Sequence, residues 1–115
     1  MTRREPKIKK TAITPMLSVR NGGRAVEFYK TAFGATELFR IDNDEGEVVA
    51  RLSAGGAEFW QADESPEHFN FSPESLGGGS ARILMIVEDP DVVFERVVAA
   101  GATVGGPSAT SMVGA

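Results

Sequence analysis

The stretch that decides the fold is ITPMLSVRNGGRAVEFYKTAFGAT, Ile13 to Thr36. Ile13–Val19 reads as a strand, and Pro15 confines it to an edge or a strand start because proline gives no N–H to a ladder. Asn21-Gly22-Gly23 reads as a turn opening a helix from about Arg24 to Phe33. Ala25, Val26, Tyr29, Ala32 and Phe33 recur on one face of that helix at its 3.6-residue period. Gly34 ends it as a left-handed residue after a helix does, and Thr36 opens the next strand.

Downstream, Thr36–Asp42 and Glu47–Ser53 alternate in strand fashion around the turn Asn43-Asp44-Glu45-Gly46. Ala54-Gly55-Gly56 makes another turn into a strand over Ala57–Ala62. From Asp63 to Gly79 the chain is polar and rich in Gly, Pro and Ser, which reads as a connector. The pattern then begins again. Ser80–Val87 reads as a strand, and Asp89-Pro90-Asp91 starts a helix, with Asp89 as the cap and Pro90 at the first helical position. That helix runs to about Ala100 with Val93, Phe94, Val97 and Ala100 inward, and Gly101 stops it before a short strand over Ala102–Val104. Gly34-Ala35-Thr36 and Gly101-Ala102-Thr103, 67 residues apart, each follow such a helix, so the chain reads as an internal repeat.

Composition bounds the chemistry. At 115 residues and 42% hydrophobic, the chain is sized for one domain. It has no cysteine, which removes disulfides and thiolate chemistry. Its one histidine, His68, leaves a His-rich zinc site or a Ser-His-Asp triad only if His68 itself serves. The longest apolar run, Ile83–Val87, falls far short of the roughly 18–20 residues that span a bilayer. The basic start lacks the apolar core of a signal peptide, so the expected compartment is the cytoplasm, with no membrane partner. Five of the 12 basic residues and only Glu5 of the 16 acidic ones lie in residues 1–10; the remaining 7 and 15 give the body a net charge of −8. An acidic body argues against nucleic acid as a partner, and residues 1–11 are expected to form a flexible basic tail.

Two units of βαβββ type with this wording resemble the vicinal oxygen chelate superfamily of glyoxalases, bleomycin-resistance proteins and extradiol dioxygenases. The likeness rests on Ile13–Val19, Ala25-Val26-Glu27-Phe28-Tyr29 and Phe33-Gly34-Ala35, then on Val87-Glu88-Asp89-Pro90-Asp91 and Ala99-Ala100-Gly101-Ala102. The loop Phe69-Asn70-Phe71-Ser72-Pro73-Glu74-Ser75-Leu76-Gly77-Gly78 is similar to that of the PhnB-like branch. The resemblance implies an α+β fold of tandem βαβββ modules, with residues 12–63 as the first module, 64–79 as connector and 80–115 as the second. The second module reads as incomplete, since Ser80–Ala115 is 15 residues shorter than Ile13–Asp63, so the resemblance also implies truncation at the C-terminus. It further implies four metal-ligand positions. The first three fall on Thr14, Trp60 and Arg82, of which Trp60 and Arg82 cannot ligate and Thr14 is a poor ligand, so no metal cofactor is expected.

Strand alternation assigns faces. Met16, Ser18, Glu58, Trp60, Arg82, Leu84 and Ile86 share one parity and are expected to line a cavity between sheet halves. Leu17, Val19, Phe59, Ile83, Met85 and Val87 are expected to pack under the helices. The ligand-binding candidates are therefore Met16, Ser18, Glu58, Trp60, Arg82 and Leu84, with Trp60 as a stacking face, Arg82 an anion partner and Glu58 an acceptor or base. His68, in a polar loop, reads as solvent-exposed. Asp42-Asn43-Asp44-Glu45-Gly46-Glu47 is a hairpin turn and no EF-hand, because the glycine position holds Glu47. The expected function is binding of a small organic ligand without the usual metal, by a homodimer. The rival is a glyoxalase-like lyase or dioxygenase with atypical ligands drawn from Glu58 and His68.

Overall fold

The computed structural model of the protein describes residues 11–104 and 113–114. The expected basic tail, but for Thr11, and most of the segment after Val104 lie outside them. Four strands, β1 (Met16–Val19), β2 (Thr36–Asp42), β3 (Val48–Ala54) and β4 (Ala57–Asp63), form one sheet in the order β1-β4-β3-β2. β1 runs parallel to β4, and the crossover between β1 and β2 is helix α1 (Gly22–Phe33). The first βαβββ unit is thus complete.

Local chemistry sets α1. Asn21 caps it, its side chain accepting from the Arg24 N–H at 3.2 Å. Gly34, at φ 65°, closes it, its N–H reaching the Tyr29 and Lys30 carbonyls. The helix opens two residues before the expected Arg24, because Gly22 comes so close to β4 that its N–H donates to the Asp63 carboxylate at 2.9 Å. The second Asp63 oxygen accepts the Val48 N–H at 2.7 Å, so one carboxylate ties α1, β3 and β4 together.

The core lies between α1 and one face of the sheet. Val48, Ala50, Leu52 and Ala54 of β3 are buried there with Val26 and Tyr29 of α1, and Leu17 and Phe59 pack against them as alternation requires. Gln61 sits on that same face, fully buried between Leu17 and Ala50 in register, and neither atom of its amide has a hydrogen-bond partner among the described residues. An unpartnered buried amide costs roughly 1–3 kcal/mol. Gln61→Met is therefore expected to raise stability by about 1–2 kcal/mol in urea denaturation, and a loss of stability would show that the amide is satisfied.

The second unit holds helix α3 (Pro90–Ala99), capped by Asp89 through the Val92 N–H at 3.2 Å. It lies against α1, and the Arg96 guanidinium donates to the Thr31 carbonyl at 3.2 Å. Only Val97 of its expected inward face is buried, with Val93, Phe94 and Ala100 half-buried. β5 (Thr103–Val104) and β6 (Val113–Gly114) form a two-residue ladder. The expected strand over Ser80–Val87 is corrected. Among the described residues no strand lies beside it, and an extended segment becomes a strand only through a neighbour that takes its backbone hydrogen bonds. Ile83 and Met85, expected under the helices, are 55% and 42% exposed.

Candidate functional site

The sheet face away from α1 carries the candidate site. Register places Met16 opposite Trp60, Ser18 opposite Ala62, Ser53 opposite Glu58 and Arg51 opposite Trp60. Met16, Ser18, Glu58 and Trp60 therefore share this face, as parity requires. Arg82 and Leu84 do not join them. They lie on the exposed segment that pairs with no strand, and Leu84 is 79% exposed, so Trp60 has a different cationic neighbour.

That neighbour is Arg51. Its guanidinium carbon stands 5.8 Å from the centre of the half-buried Trp60 ring, within cation–π range. Phe39 from β2 meets the indole edge-on at 5.9 Å. The Arg51 Nε lies 3.8 Å from a Glu58 carboxylate oxygen, an ion pair too long for a hydrogen bond, and this Nε is buried with no partner of its own. Met16, Phe39 and Ile41 flank the group at 56%, 44% and 53% exposure. The arrangement offers a flat aromatic surface, a guanidinium beside it and a carboxylate within reach, which suits a small planar molecule with polar substituents.

Phe39, Ile41 and Arg51 complete a face on which sequence had placed only the β1 and β4 residues. Arg51 was within reach of the sequence: the Gly55-Gly56 turn puts Ala54 opposite Ala57, and counting back along the hairpin pairs Arg51 with Trp60. Phe39 was not, because the register shifts between Glu37 and Phe39 and parity breaks there.

At one end of this face, the connector folds back as a built loop. A short 3₁₀ turn (Pro66–His68), closed by paired hydrogen bonds between Ser65 and Asn70, leads into helix α2 (Pro73–Leu76). The Ser18 hydroxyl donates to the Asn70 side-chain carbonyl, which fixes the loop to the concave face. Between the loop and the β2–β3 hairpin lies an open cleft of about 290 Å³. Ile41, Val49 and Ala62 form its floor, with Glu47, His68 and Asn70 among the polar groups of its rim. His68 is exposed, as its loop position suggests, and its Nδ1 is 2.7 Å from the Ser65 hydroxyl.

Glu64 holds the loop together. Its carboxylate accepts the Ser72 N–H at 2.9 Å and the Ser75 hydroxyl at 3.0 Å, with Arg20 at 3.6 Å. The Ser72 N–H first and the Ser75 hydroxyl next hold this carboxyl below its ordinary value. The loop's extra stability is thus present above the unfolded carboxyl's value and is lost as pH falls through the folded one. Amide exchange at Ser72 and Ser75 is expected to accelerate on acidification while the sheet core stays protected. Equal acceleration in both would contradict the role of Glu64.

A wider groove of about 740 Å³ runs along the other side of α1, past Arg20, Arg24, Phe28, Glu74 and Ala100. There the Arg20 guanidinium is already taken by Glu64 and the Ser75 hydroxyl, and of the edge-on pair Phe28 and Tyr29 that lines it, Tyr29 is only 5% exposed and belongs to the core.

The metal arrangement implied by the resemblance does not fit these side chains. Trp60 carries no donor for a cation and is packed by Phe39 and Arg51, and among the described residues no three of His, Asp and Glu gather closely enough to hold one. No helix among the described residues is long and apolar enough to cross a membrane.

A four-stranded βαβββ sheet with one face under a helix and the other open, followed by a second helical unit, is the vicinal oxygen chelate, or glyoxalase-like, fold. This α+β chain has that fold. Solved structures agree. A gene product from Arabidopsis thaliana superposes with a TM-score of 0.68 at 28% identity, covering 87% of this chain and 80% of that one. TioX from Micromonospora sp. ML1 does so at 0.58 and 26%, over 84% and 75%. The fosfomycin resistance protein FosX from Mesorhizobium loti scores 0.60 at 15% identity over 92% and 82%, a likeness of fold alone. No protein-family model matches. Among curated sequences, an uncharacterized protein of Mycobacterium bovis is 36% identical over 97 residues, 81% of this chain and 64% of its own length. An uncharacterized protein of Mycobacterium tuberculosis matches at the same identity over 57% of its length. This chain thus spans less than two thirds of the curated relatives it matches.

Proposed function

We propose that this chain binds a small planar organic ligand on the open face of its first sheet, without a metal at the positions its metal-using relatives employ. The observation that supports this most is the half-buried Trp60 ring, in contact with Phe39 and Arg51 on a face that also exposes Met16 and Ile41. Trp60 supplies the stacking surface, Arg51 the anion partner that sequence had assigned to Arg82, and Glu58 the acceptor. Arg82 and Leu84 join the pocket only where another chain brings them to it. The rival lyase or dioxygenase needs a metal. Glu58 already faces Arg51, and His68 lies at the far cleft. Stoichiometric nickel, zinc, iron or manganese in the purified protein would favour that rival.

The partner is a second copy. Ile83, Leu84 and Ile86 are 55%, 79% and 87% exposed on a segment that pairs with no strand among the described residues, an arrangement that is costly in water and prone to pairing. Light scattering is expected to give a dimer at micromolar concentration, and a monomer there would contradict it. The loop from Phe69 to Gly78 supports placement in the PhnB-like branch, and a cytoplasmic location remains part of the reading.

Trp60 is the chain's only tryptophan, so the site reports on itself. Titration with 4-nitrobenzoate, a planar quencher with a carboxylate, is expected to quench its fluorescence saturably. Trp60→Ala is expected to weaken binding about tenfold or more by calorimetry, since the stacking surface is lost. Quenching that rises linearly without saturation, or binding unchanged in Trp60→Ala, would overturn the proposal.

A further inference from the structure

We propose that the cleft between the β2–β3 hairpin and the loop of residues 65–70 receives the protonated amine of a small amphipathic ligand. The inference rests on the ligand-binding reading above and deepens it, since Ile41 belongs both to the open face and to the cleft floor.

The polar groups at the cleft differ in what each still has to offer a ligand. The Asp63 carboxylate is spent on the Gly22 and Val48 N–H groups. Asn43 is spent within the hairpin, its oxygen accepting from the Glu45 and Glu47 N–H groups and its amide donating to Glu47 Oε1 at 2.8 Å. Asn70 accepts from Ser18 and donates to the Asp63 carbonyl. Among the described residues this leaves the second Glu47 oxygen and the His68 Nε2 without a partner, while Ser65 already holds His68 by Nδ1.

The two unspent groups stand on opposite walls, one on the hairpin and one on the loop. Beneath them is an apolar floor of Ile41, Val49 and Ala62, of which Ala62 is 9% exposed. Among the described residues neither lysine nor arginine lines the cleft, while two carboxylates do. An anion would meet Glu47 and Asp63 with no cation to offset them. A neutral group would gain one hydrogen bond. A primary ammonium has three donors: it meets the Glu47 oxygen with opposite charge, has the His68 ring on the other wall, and lays its carbon chain on Ile41, Val49 and Ala62. The open face binds the planar part of the ligand beside Arg51, and the cleft selects among such ligands by their amine.

The test compares benzylammonium, benzyl alcohol and benzoate, which differ mainly in the polar end, by calorimetry on the full chain. Benzylammonium is expected to bind about threefold to fivefold tighter than the alcohol, the size of a partly exposed ion pair, while benzoate, which Arg51 on the open face attracts, is expected to keep its affinity in Glu47→Gln. In Glu47→Gln the amine and the alcohol are expected to bind alike. The glutamine carbonyl still accepts from Asn43, so the hairpin is kept, and amide spectra check this. An alcohol that matches the amine in the native chain, or a preference that survives Glu47→Gln, would overturn the inference. If 4-nitrobenzoate still saturates the Trp60 signal in that case, the open-face reading stands alone; if no probe binds, both fall.

Discussion

Asp63→Ala is expected to cost about 3–5 kcal/mol, the largest effect of any single polar substitution here, because two charge-assisted hydrogen bonds go at once. The carboxylate takes the Gly22 N–H at 2.9 Å and the Val48 N–H at 2.7 Å. Its loss leaves two backbone donors facing a part-buried gap and frees the start of α1 from β3 and β4. Asp63→Asn keeps one acceptor and presents a donor to the other N–H, so its cost falls between native and alanine. Gly22→Ala probes the same junction from the other side. A Cβ there would come within 2.5 Å of an Asp63 oxygen and 3.2 Å of Val48 Cβ, so the junction must open. Urea denaturation reads all three. Asp63→Ala costing under about 1 kcal/mol, the net worth of one ordinary hydrogen bond, would show that water replaces the carboxylate freely.

Leu52→Ala is the apolar counterpart, with an expected loss of about 3 kcal/mol. Leu52 is fully buried in the layer between α1 and the sheet, flanked in register by Glu37 and Phe59. The cavity left behind lies under Val26 and Tyr29, where a helix tied at both ends does not collapse readily. Small domains hold only about 5–15 kcal/mol of stability, so the urea midpoint is expected to move far towards zero with its slope unchanged. A cost below about 1 kcal/mol would place the core elsewhere.

What could be read from the sequence followed from local chemistry. Asn21, Gly34 and Asp89 mark helix ends because each supplies a hydrogen bond or a backbone angle within a few residues of itself. The four strands of the first unit were legible because their turns are built from Asn43 to Gly46 and from Gly55-Gly56, and alternation then placed Met16, Ser18, Glu58 and Trp60 on one face. Ser80–Val87 has equal strand character and forms none, since a strand is made by its neighbour and residue preference cannot supply one. The anion partner moved from Arg82 to Arg51 for this reason. Phe39 was hidden by the bulge in β2, where one irregular pairing reverses parity. The loop of residues 64–76 looked like a plain connector because its order comes from Glu64, Ser72 and Ser75 meeting over 8–11 residues.

The central claim is that the open sheet face is where this chain meets its ligand, and an amide chemical-shift map with 4-nitrobenzoate tests it most directly. The account predicts that the shifted amides cluster at Met16, Phe39, Arg51, Glu58 and Trp60, with α1 unmoved. Shifts confined to the groove of Arg24, Phe28, Glu74 and Ala100 on the helix side would contradict it.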